Sequence, residues 1–409
     1  MKRASILLSG LLASSVAVAE PISYIGTMGQ SNSDGAHSVS VLTSTPPYPT
    51  QALMLGDAWG VRGPGALSSS ASGIAAASAL VPAFETNGPS QIIPPSLQYG
   101  ETNVTAMMAE QIHEGSRAVY VGRSNGAPSH ILSRLLRGSA PYRNALADLA
   151  TAEKLADGAL IEPAVAMIEG SGDRFVKTDP GVYCAESQTL ATTWTADVQA
   201  VTGQTTPIVF YQMQLAADHI PANSMISQCQ LTLGLTDPRF RLVAPSYMMV
   251  TSLGWGPHFD GQSQRLQGEY LGHAMRHADW KPTYPTLIRF SSPKTIVVTV
   301  HTPVGPLVRD FVGVPQGAAP HDGFTFHDDC GDATVADDRI SGPNQITITL
   351  TAAAACANPM LDYAFDRQAA VGPTTYSGTW GNIRDSDPTI GFAGDHLYNW
   401  LVMFSEPVM

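Results

Sequence analysis

From about Pro21 to Ala278, short apolar runs ending in glycine or serine alternate with stretches whose apolar residues recur at helical spacing. That alternation predicts strand–helix repeats and a parallel sheet. Residues 22–26 are the first expected strand, followed by 118–121, 164–168, 208–211 and 242–244. Between them Val104, Met107, Met108 and Ile112 share one helical face after Thr102 or Asn103, either of which can be an N-cap. Tyr142, Leu146 and Leu149 repeat the pattern, as do Leu190, Trp194 and Val198. Five parallel strands with intervening helices read as a three-layer α/β/α sandwich.

Two stretches break that rhythm. Between Ser33 and Gly100 the chain turns to Pro, Gly, Ser and Ala, and a loop this long is usually functional. It leaves the sheet directly after the first strand, so it is expected to flank or cover that edge. Beyond Pro282 the period becomes two, at residues 287–290, 296–300, 307–312, 346–350, 361–365 and 397–404. Six short strands with Gly/Pro turns and no helices predict a separate C-terminal β-sandwich. The expected organisation is a signal peptide at 1–19, an α/β domain at 20–282 and a β-sandwich at 283–409.

Composition narrows the function. The 409 residues suffice for two or three domains, and 14% charged against 44% hydrophobic residues, with 37 glycines and 30 prolines, suits a loop-rich globular chain. A net charge of -12 repels phosphate backbones and anionic lipid, which argues against nucleic-acid and membrane-surface partners. Lys2 and Arg3, a charge-free stretch at 4–18 and Ala17-Val18-Ala19 before Glu20 form a cleavable secretory signal, too short to span a bilayer. The mature chain is then expected to be secreted or periplasmic, with no integral membrane segment. In an oxidising compartment the four cysteines favour disulfides, and their spacing lacks the C-x-x-C of zinc sites. Of three possible connectivities, Cys184–Cys229 and Cys330–Cys356 are preferred because each closes a loop inside one expected domain.

The first strand runs into Gly29-Gln30-Ser31-Asn32, which puts Ser31 at the carboxyl edge of a parallel sheet, where ligands bind in this architecture. A serine there can be a nucleophile, or a turn or cap residue. Three more loops reach the same edge. Gly122-Arg123-Ser124-Asn125-Gly126-Ala127 follows the second strand, Glu169-Gly170-Ser171-Gly172-Asp173 the third, and Gly256-Pro257-His258-Phe259-Asp260 the last, ahead of a helical pattern through Leu266, Tyr270 and Ala274.

These four loops, in this order, resemble the SGNH/GDSL hydrolase superfamily, in particular its sialate O-acetylesterase-like carbohydrate esterases. The resemblance covers about residues 24–274 and rests most on Gly29-Gln30-Ser31-Asn32. It implies an SGNH-like sheet with Ser31 as nucleophile and His258 as general base. The backbone N–H groups of Ser31 and Gly126 would face the oxyanion, and Gln30, Asn32, Asn125, Glu169 and Gly170 would line the site. Where such enzymes commonly carry Asp three residues before the histidine, this chain has Trp255, so Asp260, a distant acid or a backbone carbonyl must orient His258. Glu169 stands where a neutral donor is usual. A carboxylate cannot donate to an oxyanion unless protonated, so either the hole contains only backbone donors or Glu169 has another role such as gripping a sugar hydroxyl.

The function so implied is a secreted serine esterase that removes acetyl or other small acyl groups from a carbohydrate, with no cofactor. The alternatives are a glycan-binding or surface-adhesion protein on an impaired esterase fold, and an esterase or lipase for non-sugar esters. Three weaker features remain. Residues 327–332, with Asp337 and Asp338, read as a solvated acidic turn or a calcium loop without EF-hand spacing. His273 and His277 stand at i and i+4 with no third metal ligand in sight, so no metal is expected. Trp194, Trp255, Trp280, Trp380 and Trp400 are packing residues or sugar platforms.

Overall fold

The computed structural model describes residues 21–38, 40–64, 77–87, 99–215, 225–250, 252, 258–314, 317–365 and 380–409. The expected signal segment and Trp255 lie outside the described residues. Strands β1 (Ile22–Gly29), β2 (Ala52–Leu55), β3 (Leu80–Pro82), β4 (Tyr120–Gly126), β5 (Leu160–Ile168), β6 (Val209–Gln214) and β7 (Phe240–Pro245) form one sheet in the order β3-β2-β4-β1-β5-β6-β7. Its pairs are parallel except β2 with β3. The five expected strands are contiguous in it, from β4 to the β7 edge. Chain order reverses at β1, with β4 on one side and β5 on the other, and that crevice is where an open α/β sheet binds its ligands.

The sheet is buried on both faces, which is why its strands read as apolar runs. On one face Ile25, Ala166 and Leu242 cluster with Met107 of α1 (Val104–His113) and Leu271 of α6 (Gly261–Arg276). On the other, Tyr24, Val165 and Phe210 cluster with residues of α2 (Ala140–Leu155), α4 (Pro180–Thr202) and α5 (Ile226–Thr236). A short α3 (Ser171–Val176) follows β5. Local signals set the helix ends. Ser139 accepts from Tyr142 N–H at the start of α2, and Asp179 accepts from Gly181 and Val182 N–H ahead of α4, whose C-cap Gly203 has φ +70°.

The sequence pattern puts residues 33–100 at the Ser31 edge, but their described parts do not all lie there. Ala52 pairs with Tyr120 at the amino-terminal end of β4, so the segment around Tyr48 and Gln51 lies at the edge away from Ser31. β2 and β3 then widen the sheet, which therefore has seven strands rather than five. Short apolar stretches such as Ala52–Leu55 were masked in the sequence by flanking Pro and Gly. Among the described residues, pieces around 33–38, Thr43, Arg62, Glu85 and Thr102 return to the carboxyl edge, where the Glu85 carboxylate accepts from Thr102 and Thr105, and the Glu85 N–H reaches the Thr43 carbonyl. Arg123 on β4 holds the insertion down, pairing with Asp148 at 2.9 Å and Asp57 at 2.8 Å, all fully buried.

After Pro282 the chain forms β8 (Tyr284–Ser292), β9 (Thr295–His301), β10 (Val308–Arg309), β11 (Phe324–Asp328), β12 (Gly331–Ala333), β13 (Val335–Gly342), β14 (Gln345–Leu350), β15 (Met360–Tyr363), β16 (Ile383–Arg384) and β17 (Phe404–Pro407). They pair as β13-β14-β9-β8, β12-β11-β15-β17 and β10-β16. The pattern missed β11, β12, β13 and β16, and the run at 397–404 is largely buried loop, entering a strand only at Phe404. That loop is apolar because it packs back on the α/β sheet. Met403 N–H and carbonyl bond the Gln214 side chain at 2.8 and 2.7 Å, and Tyr247 and Tyr270 hydroxyls reach the Leu401 and Tyr398 carbonyls. One apolar cluster runs from Ile25 through Trp400 to Ile348.

Both preferred disulfides are present, Cys184–Cys229 between α4 and α5 and Cys330–Cys356, each with Cα atoms 5.9 Å apart. Asp328 accepts from the N–H groups of Cys330 and Cys356, so part of the acidic turn is used in bracing its own disulfide loop. Trp194, Trp280, Trp380 and Trp400 are buried packing residues. Among the described residues no helix is long and apolar enough to cross a membrane.

Candidate active site

β1 ends at Gly29, whose φ of +149° and contact with Ile168 leave no room for a side chain: a Cβ would lie 2.0 Å from the Ile168 carbonyl oxygen. The next residues turn over the carboxyl ends of β4 and β5. Gln30 donates its N–H to Ile168 O, and its Oε1 accepts the Gly172 N–H at 2.8 Å, which ties the Ser31 turn to the loop after β5. Ser31 opens a 3-10 turn through Ser33, buried but at the cleft edge, with its carbonyl accepting from Asp34 and Ala36 N–H. Gly126 packs beneath this turn. A Cβ there would meet Asp34 Cβ and Ser33 Oγ, each at 2.5 Å, so glycine is required for the turn to fold down. Asn125, one residue earlier, faces the α2 side, in a small cavity with Met28, Tyr142 and Ala145.

The His258 segment is held against that turn. Asn32 Oδ1 accepts the Phe259 N–H at 3.1 Å, joining residues adjacent to Ser31 and His258. Ser252 adds a second clasp, its N–H to the His258 carbonyl at 2.7 Å and its Oγ to the His37 carbonyl at 2.6 Å. The His258 ring lies 4.5 Å from that of His37, edge to face. Burial first, and His258 second, pushes the His37 imidazole down to about 4, so His37 is neutral at physiological pH. Asp260 is the N-cap of α6, with its Oδ1 accepting the Ser263 N–H at 2.8 Å.

A cavity of about 30 Å³ opens beside the turn, lined by Gln30, Asn32 and Glu169 on its polar side and by Ile168, Met213 and Phe259 on its apolar side. Glu169 is fully buried. Desolvation, reinforced by the neighbouring Asp173 carboxyl, raises its pKa well above the usual carboxylate range, so it holds its proton. A neutral Glu169 can donate a hydrogen bond, the property a carboxylate lacks. Its carbonyl is fixed by Gln230 Nε2 and the Tyr183 hydroxyl, and Gly170 beyond it takes φ +124° to start the turn into α3.

The sequence missed several residues. His37 stood in plain view six positions after Ser31, but nothing local marks a loop histidine that tertiary packing brings to a second one. Asn103 serves the site as well as the helix start, donating to the Asn32 carbonyl at 3.3 Å and to Gln267 Oε1 at 3.0 Å. Gln267 also lines the cavity, and only its burial in α6 marks it.

No protein-family model matches the chain, and no curated protein matches it. Solved structures of similar shape include a protein from Arabidopsis thaliana, 17% identical, covering 62% of this chain and 98% of its own with a TM-score of 0.44. An inhibitor-bound aryl esterase of M. smegmatis is 13% identical, covers 62% and 98%, and has a TM-score of 0.35. A carbohydrate acetylesterase from Sinorhizobium meliloti is 12% identical, covers 62% and 96%, and has a TM-score of 0.31.

Proposed function

We propose that the protein is an exported serine esterase of SGNH type that removes acetyl or similarly small acyl groups from a carbohydrate. The observation that carries this reading is the Asn32–Phe259 hydrogen bond, which draws the His258 segment onto the Ser31 turn at the topological switch point of the sheet. In the proposed mechanism His258 takes the Ser31 Oγ proton as Oγ attacks the ester carbonyl. The imidazolium gives that proton to the departing sugar oxygen, leaving an acyl-enzyme. Water, deprotonated by His258, then releases the carboxylic acid and restores Ser31. The Ser31 and Gly126 N–H groups and protonated Glu169 are the proposed oxyanion donors. Asp260 spends Oδ1 on the helix cap, and its second oxygen is proposed to orient His258. Neutral His37 lets the imidazolium form without a like charge beside it.

The small cavity beside the Ser31 turn, with its apolar wall, is the proposed acyl site and favours an acetyl methyl over a long chain. Disulfides agree with export, because they persist in oxidising compartments. The test is fluorophosphonate labelling joined to a panel of acetylated sugars, p-nitrophenyl acetate and longer acyl esters. Labelling at Ser31, acetyl preference and loss of nearly all turnover in both Ser31→Ala and His258→Ala are expected, with the double variant little worse than either single. An unlabelled, inactive wild type that binds glycans would replace the reading with the adhesion alternative. Preference for p-nitrophenyl over sugar acetates would make it a general esterase.

A further inference from the structure

A second cluster lies at the far end of α6, about 20 Å of helix from Asp260 at 1.5 Å per residue. His273 in the last turn of α6 and His277 at its C-cap have ring centroids 4.6 Å apart. The group that the sequence did not show beside them is Glu114, the C-cap of α1. Its Oε1 meets His273 Nδ1, and its Oε2 lies 3.5 Å from His277 Nε2. That Oε2 is buried and accepts no hydrogen bond among the described residues. Ligand atoms of all three side chains lie within 4.8 Å of one another.

We propose that Glu114, His273 and His277 form a binding site for a divalent transition-metal ion of the zinc class. Two imidazole nitrogens and one carboxylate oxygen are a donor set that zinc takes, with a fourth position left open. Bond lengths of about 2.0–2.2 Å place tetrahedral ligand atoms roughly 3.3–3.5 Å apart. The Glu114–His277 separation already has that value, and the remaining adjustment is a side-chain movement. Trp280 packs edge to face on His273, with ring centroids 5.0 Å apart. The carboxyl ends of α1 and α6 both point here, and their carbonyl dipoles favour a cation. The open position faces a cleft of about 590 Å³, where Arg276 and Lys281 are balanced by Asp279 and Asp387. Glu110 of α1 adds a further carboxyl nearby, occupied by the Phe392 N–H.

The ion would be structural with respect to the ester chemistry. It clamps the carboxyl ends of two helices whose amino-terminal halves carry Asn103 and Gln267, bonded to each other and, through Asn103, to the Ser31 turn. The alternative is a clasp in which Glu114 hydrogen-bonds the two imidazoles and no metal binds. Tag-free protein, stripped with a chelator and dialysed, is titrated with Co²⁺ and then Zn²⁺. One equivalent of Co²⁺ with the visible bands of a four-coordinate ion is expected, displaced by one Zn²⁺, with a higher melting temperature in Zn²⁺. His277 is half exposed, so His277→Ala folds, and Glu114→Gln keeps the hydrogen-bonding shape. Each variant is expected to lose more affinity than the about 10–100-fold typical of an outer-sphere partner, and to lose the zinc-dependent melting shift. The variant H321A, at a half-buried histidine outside the cluster, is expected to bind as the wild type does. If the wild type binds no tighter than H277A, or if E114Q keeps full affinity, the proposal falls.

Discussion

At the scale of single residues the site depends on side chains with two duties. Asp260 caps α6 through Oδ1 and is the proposed orienting group for His258. Asparagine caps as well as aspartate, so Asp260→Asn is expected to keep its urea midpoint, whereas Asp260→Ala loses about 1 kcal/mol. If the second oxygen orients the imidazole, Asp260→Asn loses on the order of 10⁴ in kcat, as removal of a triad carboxylate's charge does. Turnover within tenfold of wild type would leave Asp260 as a cap and give the orienting role to a backbone carbonyl. Glu169 illustrates the opposite situation, in which residue type misleads. Its sequence position suggests a charged group unfit for an oxyanion, and burial beside Asp173 removes the charge.

Among elements, the pair α1 and α6 matters most, since it carries Asn103, Gln267 and the cap residue of the His258 loop. The two helices approach closely because α6 presents glycine where α1 crosses. A Cβ on Gly268 would lie 2.3 Å from the Asn103 carbonyl and 2.7 Å from Ala106 Cβ. Alanine is the better helix former by about 1 kcal/mol, yet here it must push backbone apart. Gly268→Ala is therefore expected to destabilise the protein by about 1–3 kcal/mol in urea titration, and to lower kcat by shifting Asn103. A stabilised variant would show that the helices are free to separate.

For the whole molecule, several carboxyls are buried with their protons. Asp34, Glu162 and Glu269 are each pushed up to about 8, chiefly by desolvation. Their folded pKa values lie above the unfolded ones, near 4. Their contribution is complete below pH 4 and is lost as pH rises toward 8. His37 acts in the opposite sense, lowering stability as pH falls from about 6.5 to 4, but it is one group against three. The urea midpoint is thus expected to be higher at pH 5.5 than at pH 8.5. A midpoint that rises with pH would mean these carboxyls are ionised in the folded state.

Much of this architecture follows from local sequence alone. The five contiguous strands from β4 to β7, the helical faces of α1, α2, α4 and α6, and the position of Ser31 all rest on short-range periodicity and on glycines that a turn requires. The cysteine pairing could be ranked because it follows chain proximity. What folding decided is what lies between distant segments. β2 and β3 are too short and too close to proline to stand out until β4 offers β2 an edge and β2 in turn offers one to β3. The loop near Met403 reads as a strand because burial against Gln214 requires the same apolar residues that pairing would. His37 beside His258, Glu114 beside His273 and the proton on Glu169 are properties of contacts between distant parts of the chain. Sequence specifies which groups exist, but the distance between two groups and the water excluded around them exist only once the chain has folded.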